Sequence, residues 1–225
     1  MATVIAITAN PLLNLVAPAP VRPNAVNRLP DLAVAAEGKG VNVGRLLARH
    51  GHRVIATGFA GGHSGAWLRD LVRADGIEDA FLATAAPLRL GFMAPGGPGL
   101  HPTTAFANGF AVTSGECEAL LAVIAGHLPQ ADLVVASGSV SDRSADDLYV
   151  RLLDLCAARG VPCWLDSYGP AMSRALASPH PPLLAKPNRD EFARSPDWGR
   201  VAELHLTDGG GPVEVRRADG RWRIT

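Results

Sequence analysis

Cysteine is scarce. Cys117, Cys156 and Cys163 form no CxxC pair, which excludes a disulfide framework and a thiolate zinc site and leaves buried thiols in a reducing compartment. Aromatic residues are 5% of the chain and no basic run interleaves with them, while Lys plus Arg and Asp plus Glu stand at 21 each. That balance gives no footprint for nucleic acid or for an anionic membrane. No apolar run reaches the roughly 18 to 20 residues that cross a bilayer. Residues 2–9 are apolar without the basic flank of a signal peptide, so they read as a first strand and the protein as cytoplasmic. The seven histidines show no HExxH spacing, and no histidine metal site is assigned. What remains is a small neutral or anionic molecule as partner.

The 225 residues can bury a full core as one α/β domain. Residues 36–45, AEGKGVNVGR, put two glycines around Lys39 where a helical pattern begins at about Val41. Backbone amides and one ammonium then converge at a helix start, the geometry of a site for an anion or a polar ligand. The spacing is not that of a P-loop, because Val41 follows Gly40. No GxGxxG follows the first strand, which weakens a dinucleotide module.

Strands are expected at residues 3–8, 53–57, 132–136, 161–165 and 183–185, and helices at 41–50, 66–74, 116–128 (capped by Ser114) and 146–158. That alternation implies a mainly parallel sheet covered on both faces. Two stretches break it. Residues 12–35 carry four prolines and read as extended excursions, and residues 88–112 read as a hairpin around a Pro and Gly turn, so the two together form a small β lid. Polar residues follow the strand ends at Asn10, Ser137 to Ser139, Asp166 and Lys186, which points to one cleft at the carboxyl ends.

With these pieces in order, the sequence resembles the ribokinase-like sugar kinases of the phosphofructokinase B family, in its branch of 1-phosphofructokinases and tagatose-6-phosphate kinases. Thr8-Ala9-Asn10-Pro11 resembles the opening TLNP, Val26-Asn27-Arg28 its VNR, and residues 38–43, GKGVNV, its glycine signature. Residues 58–65 resemble GFxGGxxG, residues 137–139 the SGS, and residues 186–191 the KPNxxE. The resemblance implies a ribokinase-like three-layer sandwich with a β lid, and ATP-dependent transfer of a phosphoryl group to a hydroxyl of a hexose phosphate such as fructose 1-phosphate. On the sugar side it implies Asn14, Arg28, Gly38, Lys39, Gly40, Asn42, Arg89 and Ser139. On the nucleotide side it implies Lys186, Asn188, Glu191, Thr207 and Gly209, with Glu191 holding Mg²⁺ through water. The lid composition permits a homodimer.

Three departures stand out. Asn14 replaces the family aspartate that takes hydrogen bonds from sugar hydroxyls, and Glu37 puts a carboxylate beside the implied phosphate site unless Lys39 or Arg28 neutralises it. No GxGD turn, the family's catalytic base, occurs among these residues, and Asp208 lies in a turn of another kind. The connection from Glu191 to Leu204 is short, and residues 221–225 read as a strand cut off in mid-pattern, so a truncated or fragmentary chain is expected. The rival expectation is an inactive protein that retains the sugar-phosphate pocket.

Overall fold

The computed structural model describes residues 1–194 and 197–225. In chain order the elements are β1 (Thr3–Thr8), β2 (Leu12–Val16), β3 (Ala33–Glu37), α1 (Lys39–Arg49), β4 (Arg53–Gly58), α2 (Gly62–Ala74) and β5 (Glu78–Asp79). Next come β6 (Leu90–Ala94), β7 (Thr103–Phe106), α3 (Ser114–His127), β8 (Leu133–Ser137), α4 (Leu148–Arg159), β9 (Cys163–Asp166) and α5 (Gly169–Ala177). The rest are β10 (Leu184–Ala185), α6 (Arg189–Arg194), β11 (Glu203–Leu206), β12 (Val213–Arg217) and β13 (Gly220–Ile224).

The larger sheet runs β13-β12-β11-β10-β9-β8-β1-β4-β5 and the smaller one β3-β2-β6-β7. Every pairing from β5 across to β11 is parallel, and β12 and β13 add antiparallel at the far edge. In the smaller sheet β6 and β7 are the expected antiparallel hairpin, and β2 joins it parallel to β6 while pairing antiparallel with β3. The two excursions from the βα rhythm therefore meet in one sheet.

The β-branched run of β1 is buried along five of its six residues because helices cover it on both faces. The two faces of the sheet then diverge. One register row runs Ile7, Ala136, Leu165, Ala185, Leu204, and all five are buried. The row on the α1 side runs Ala6, Val135, Trp164, Leu184, Glu203, Arg217, and it starts buried but reaches 38% exposure at Trp164. Beyond β8 that face has no helix over it among the described residues. A cavity of about 410 Å³ lies there between Val43, Val135, Trp164, Leu184 and His205.

Several expectations need correction. α1 begins at Lys39, two residues before the apolar pattern does. The cap of α3 is Thr113, not Ser114: its side chain accepts from the Glu116 amide while Glu116 reaches back to the Thr113 amide, a capping box. Residues 143–145 form a separate 3₁₀ turn, with Asp142 accepting from the Ser144 amide, so α4 starts at Leu148 and not at residue 146. The second hairpin strand stops at Phe106, although residues up to Val112 were expected in it. α5 and β12 had no counterpart in the sequence reading. The short connection from Glu191 to Leu204 holds the end of α6 and a 3₁₀ turn at Asp197–Arg200, and its residues 195–196 lie outside the described residues. The strand expected at residues 221–225 is β13, paired with β12 along its whole length. All three cysteines are free and buried, as expected. Among the described residues no helix is long and apolar enough to cross a membrane.

Candidate active site

The polar residues after β1, β8, β9 and β10 gather at the carboxyl ends of these neighbouring parallel strands. Gly38 and Gly40 let α1 start there. A Cβ on Gly40 would stand 2.2 Å from the Ile7 carbonyl oxygen and 2.4 Å from Thr8 Oγ1, and Gly38 has φ +140 with its Cβ position 2.5 Å from Thr8 Cγ2. Only glycine allows the first turn of α1 to lie on the last residues of β1. The helix N-terminus, with its unpaired amides, is thereby aimed at the strand ends.

Lys39, the first residue of α1, reaches across to Asp166 at the end of β9, with Nζ to Oδ2 at 3.3 Å. Lys186, just after β10, approaches the same oxygen at 3.7 Å. Asp166 is 14% exposed and both lysines 48%, so two half-exposed ammonium groups share one largely buried carboxylate. The second carboxylate oxygen, Oδ1, is buried and has no partner among the described residues. Gly138 lies below this cluster, its φ +103 turning the chain after β8 so that its Cβ position is 3.9 Å from Lys39 Cβ. Tyr149 donates to the Gly138 carbonyl at 2.9 Å, and burial pushes its phenol far above the usual range, so it serves only as a neutral donor.

Asn10 ties the end of β1 to the loop after β8, donating from Nδ2 to Ser139 Oγ at 3.0 Å. Arg89 donates to the carbonyls of Asn10 at 2.9 Å, Pro11 at 3.2 Å and Ala107 at 3.3 Å. Burial pulls its pKa down and Tyr168 opposes the shift. The guanidinium thus holds the β1 loop to the smaller sheet and, among the described residues, meets no carboxylate.

Buried polar side chains normally find a hydrogen-bond partner. Here Thr8 Oγ1, Asn10 Oδ1, Ser141 Oγ, Asp166 Oδ1 and Ser167 Oγ have none among the described residues, and all five residues lie at or just beyond the carboxyl ends of β1, β8 and β9. Both polar atoms of Asn14 are also unpartnered. Asn14 is in the middle of β2, fully buried opposite Gly91, where a Cβ would lie 2.7 Å from Asn14 Oδ1.

The remaining predicted residues are placed as follows. Asn42 is exposed and accepts from Arg45 at 2.9 Å. Arg28 is exposed in the loop between β2 and β3, with no hydrogen bond or ion pair among the described residues. Glu37 ends β3, and neither Lys39 nor Arg28 pairs with it, because Lys39 is engaged by Asp166. Asn188 and Glu191 cap one another: the Asn188 amide donates to Glu191 Oε2 at 2.9 Å and the Glu191 amide to Asn188 Oδ1 at 2.9 Å. Asn188 bridges to Thr207, whose amide donates to the Pro187 carbonyl at 3.0 Å, and Gly209 turns the chain with φ +53. Beside them a cavity of about 340 Å³ lies between Ser167, Tyr168, Asn188, Glu191 and Trp198. The structure therefore joins Lys39 and Lys186 at Asp166 and sets Asn188 and Glu191 on the neighbouring cavity, with Ser139 tied to Asn10 and Thr207 to Asn188. Arg28 and Asn42 stay outside both groups.

Sequence reasoning put Asp166 at the cleft as a polar strand end but gave neither it nor Ser167 a role in the site. The signal was present, because Asp166 ends a strand next to three other polar strand ends. No group of three or more His, Cys, Asp or Glu able to hold a metal ion occurs among the described residues.

A family model for pfkB family carbohydrate kinases matches residues 3–196. The chain belongs to the pfkB family. Solved structures share its fold. A possible 1-phosphofructokinase from Thermotoga maritima superposes with a TM-score of 0.89 at 21% identity, covering 98% of this chain and 76% of that one. Phosphofructokinase-2 from Escherichia coli, in complex with fructose-6-phosphate, gives 0.85 at 20% identity over 100% of this chain and 80% of its own. Fructokinase from Xylella fastidiosa gives 0.75 at 17% over 100% and 78%. At these identities the likeness carries the fold, the ribokinase-like pfkB architecture expected from the sequence, and the family match carries the membership.

Proposed function

We propose that the chain binds a phosphorylated hexose, of the kind of fructose 1-phosphate, beside Lys39, with MgATP at the neighbouring cavity, for phosphoryl transfer to a sugar hydroxyl. The observation that carries this reading is the set of five unpartnered buried polar atoms around the Lys39, Asp166 and Lys186 cluster. Such atoms need a polar ligand or ordered water, and the two ammonium groups with the α1 amides supply charge for a phosphate.

In this reading Lys39 and the α1 N-terminus hold the sugar phosphate, with Gly38 and Gly40 admitting the backbone. Asn10 and Ser139 present donors and acceptors to hydroxyls. Asn14 faces the ligand as a neutral amide once the smaller sheet moves as a lid, and Arg28 and Asn42 approach only in such a movement. Arg89 anchors that lid through its three carbonyl contacts. Lys186 neutralises transferred charge, and Asn188, Thr207 and Gly209 border the nucleotide.

The donor set fits a hydrated Mg²⁺, since Asp166 Oδ1 is unpartnered and Glu191 lies on the adjoining cavity. When bound, MgATP supplies the phosphoryl group and the metal neutralises its oxygens. The protein's own part is positioning and charge, which fits the loose transition state of such transfers. The chain forms one ribokinase-like unit in this account, and pairing through the exposed face of the smaller sheet is part of it.

A second reading is a sugar-phosphate-binding protein without turnover. Asn14 and Glu37 favour it. Sugar-dependent release of ADP from MgATP, measured beside calorimetric titration with fructose 1-phosphate, separates the two. Binding with turnover supports the kinase, binding without turnover supports the second reading, and no binding contradicts both.

A further inference from the structure

At the end of the larger sheet opposite the Lys39 site, the turn from α4 into β9 brings two buried cysteines to one cavity. Cys156 lies in the last turns of α4 and Cys163 is the first residue of β9. Between them the chain reverses in residues 157–162, closed by the Val161 amide donating to the Cys156 carbonyl at 3.0 Å. The Leu183 amide fixes the Cys163 carbonyl at 2.9 Å from the β10 side. Each thiol is nearly covered from solvent, yet both border one cavity of about 280 Å³, walled by His180, Pro182 and Arg200. A water molecule occupies about 30 Å³ of liquid, so hydrogen peroxide fits such a space. Cys117 offers a contrast inside the same chain: it is buried in α3, off this cavity and without a thiol neighbour.

We propose that Cys156 and Cys163 are a modification site, at which a small hydroperoxide entering this cavity oxidises the pair to a disulfide that ties α4 to β9. Cys156 is the attacking sulfur. Its pairing with Cys163 pulls the Cys156 thiol below a free thiol's pKa, while that pairing and burial push Cys163 up, its S–H donating to the Trp164 carbonyl at 3.8 Å. The Cys156 thiolate attacks one peroxide oxygen and the O–O bond breaks, releasing hydroxide, which takes the Cys156 proton and leaves as water. The Cys163 sulfur then displaces the hydroxyl of the Cys156 sulfenic acid, which leaves with the Cys163 proton as a second water. Two thiols and one hydrogen peroxide thus give one disulfide and two waters. This site is independent of the sugar-kinase reading.

The test treats the folded protein with hydrogen peroxide, alkylates the remaining thiols and digests with trypsin. Cleavage after Arg159 separates the two cysteines, so the disulfide should appear as fragments 152–159 and 160–174 joined, two hydrogens lighter than their sum and split by dithiothreitol. Cys117, in fragment 90–143, should stay alkylated. Recovery of both Cys156 and Cys163 as alkylated thiols, or a disulfide to Cys117 in their place, would overturn the proposal. In Cys163→Ala, Cys156 should be trapped by dimedone as its sulfenic acid after peroxide. A folded Cys163→Ala protein with no adduct on Cys156 contradicts the assigned order of attack.

Discussion

The two halves of the larger sheet are built differently. From β5 to β8 helices cover both faces, and the core residues Ile5, Ile55, Ala56 and Val134 are fully or almost fully buried. From β9 to β12, among the described residues, the face toward α4, α5 and α6 is packed, and the other shows Trp164, Leu184 and His205. The candidate site straddles the boundary. Lys39, Asn10 and Ser139 stand on the doubly covered half, whereas Asp166, Lys186, Asn188 and Thr207 stand on the half covered once. The corner around Lys39 on the first half is held rigid by its packing, and the side around Asn188 and Thr207 rests on thinner support.

That contrast can be broken most directly by core truncation. Ile5→Ala removes a side chain enclosed on both sides and should cost about 2 to 5 kcal/mol, read as a fall in the urea midpoint. Trp164→Ser, on the open face, should cost less than half as much despite removing more atoms. Equal losses would show that the open face is packed in solution. Hydrogen exchange sharpens the same point: β1 and β4 amides should exchange about a hundredfold more slowly than those of β12 and β13, a gap of roughly 3 kcal/mol in opening free energy.

Smaller effects are expected at the boundary. Asp166→Asn releases Lys39 and Lys186 from their shared counter-ion, so titration with inorganic phosphate should tighten about threefold, as befits a pair with half-exposed partners. Loss of phosphate binding in Asp166→Asn would mean that the carboxylate orients the lysines and does not merely balance them.

An effect of similar size belongs to a cap on the well-packed half. Thr113→Ala should cost about 1 kcal/mol in thermal or urea unfolding. Hydrogen bonds from the Thr113 and Ala85 amides hold the Glu116 carboxyl below its ordinary value. A depressed carboxyl contributes stability above its unfolded pKa and loses it as pH falls through the folded one. Glu116→Gln should therefore flatten the acid limb of the stability profile and leave the neutral limb parallel to the parent.

Much of this was legible in the sequence, for physical reasons. The glycines around Lys39 marked a helix start against a strand, and β-branched runs ending in polar residues marked parallel strands with a site at their ends. What escaped had weaker signals. α5 opens on Gly169 and Pro170 with no side-chain cap at Tyr168, so no helix start was marked there although proline suits the first helical positions. β12 alternates valines with charged residues and so lacked the apolar run of a buried strand. Asp166 was read as a strand terminus, because its role as the shared partner of two lysines depends on contacts between residues 39, 166 and 186. Glu191 shows the reverse case: the motif implied a metal role, and the structure gives its carboxylate a capping bond as well.

The central claim is that the doubly covered half of the site recognises phosphate and sugar together. Calorimetric titration with fructose 1-phosphate, fructose and inorganic phosphate, in the parent and in Lys39→Ala, tests it most directly. The account predicts that the sugar phosphate binds at least about tenfold more tightly than either piece, and that Lys39→Ala removes most of that advantage, about 1.5 to 3 kcal/mol for a charged hydrogen bond. Equal affinity for fructose and fructose 1-phosphate, or an advantage untouched by Lys39→Ala, would contradict it.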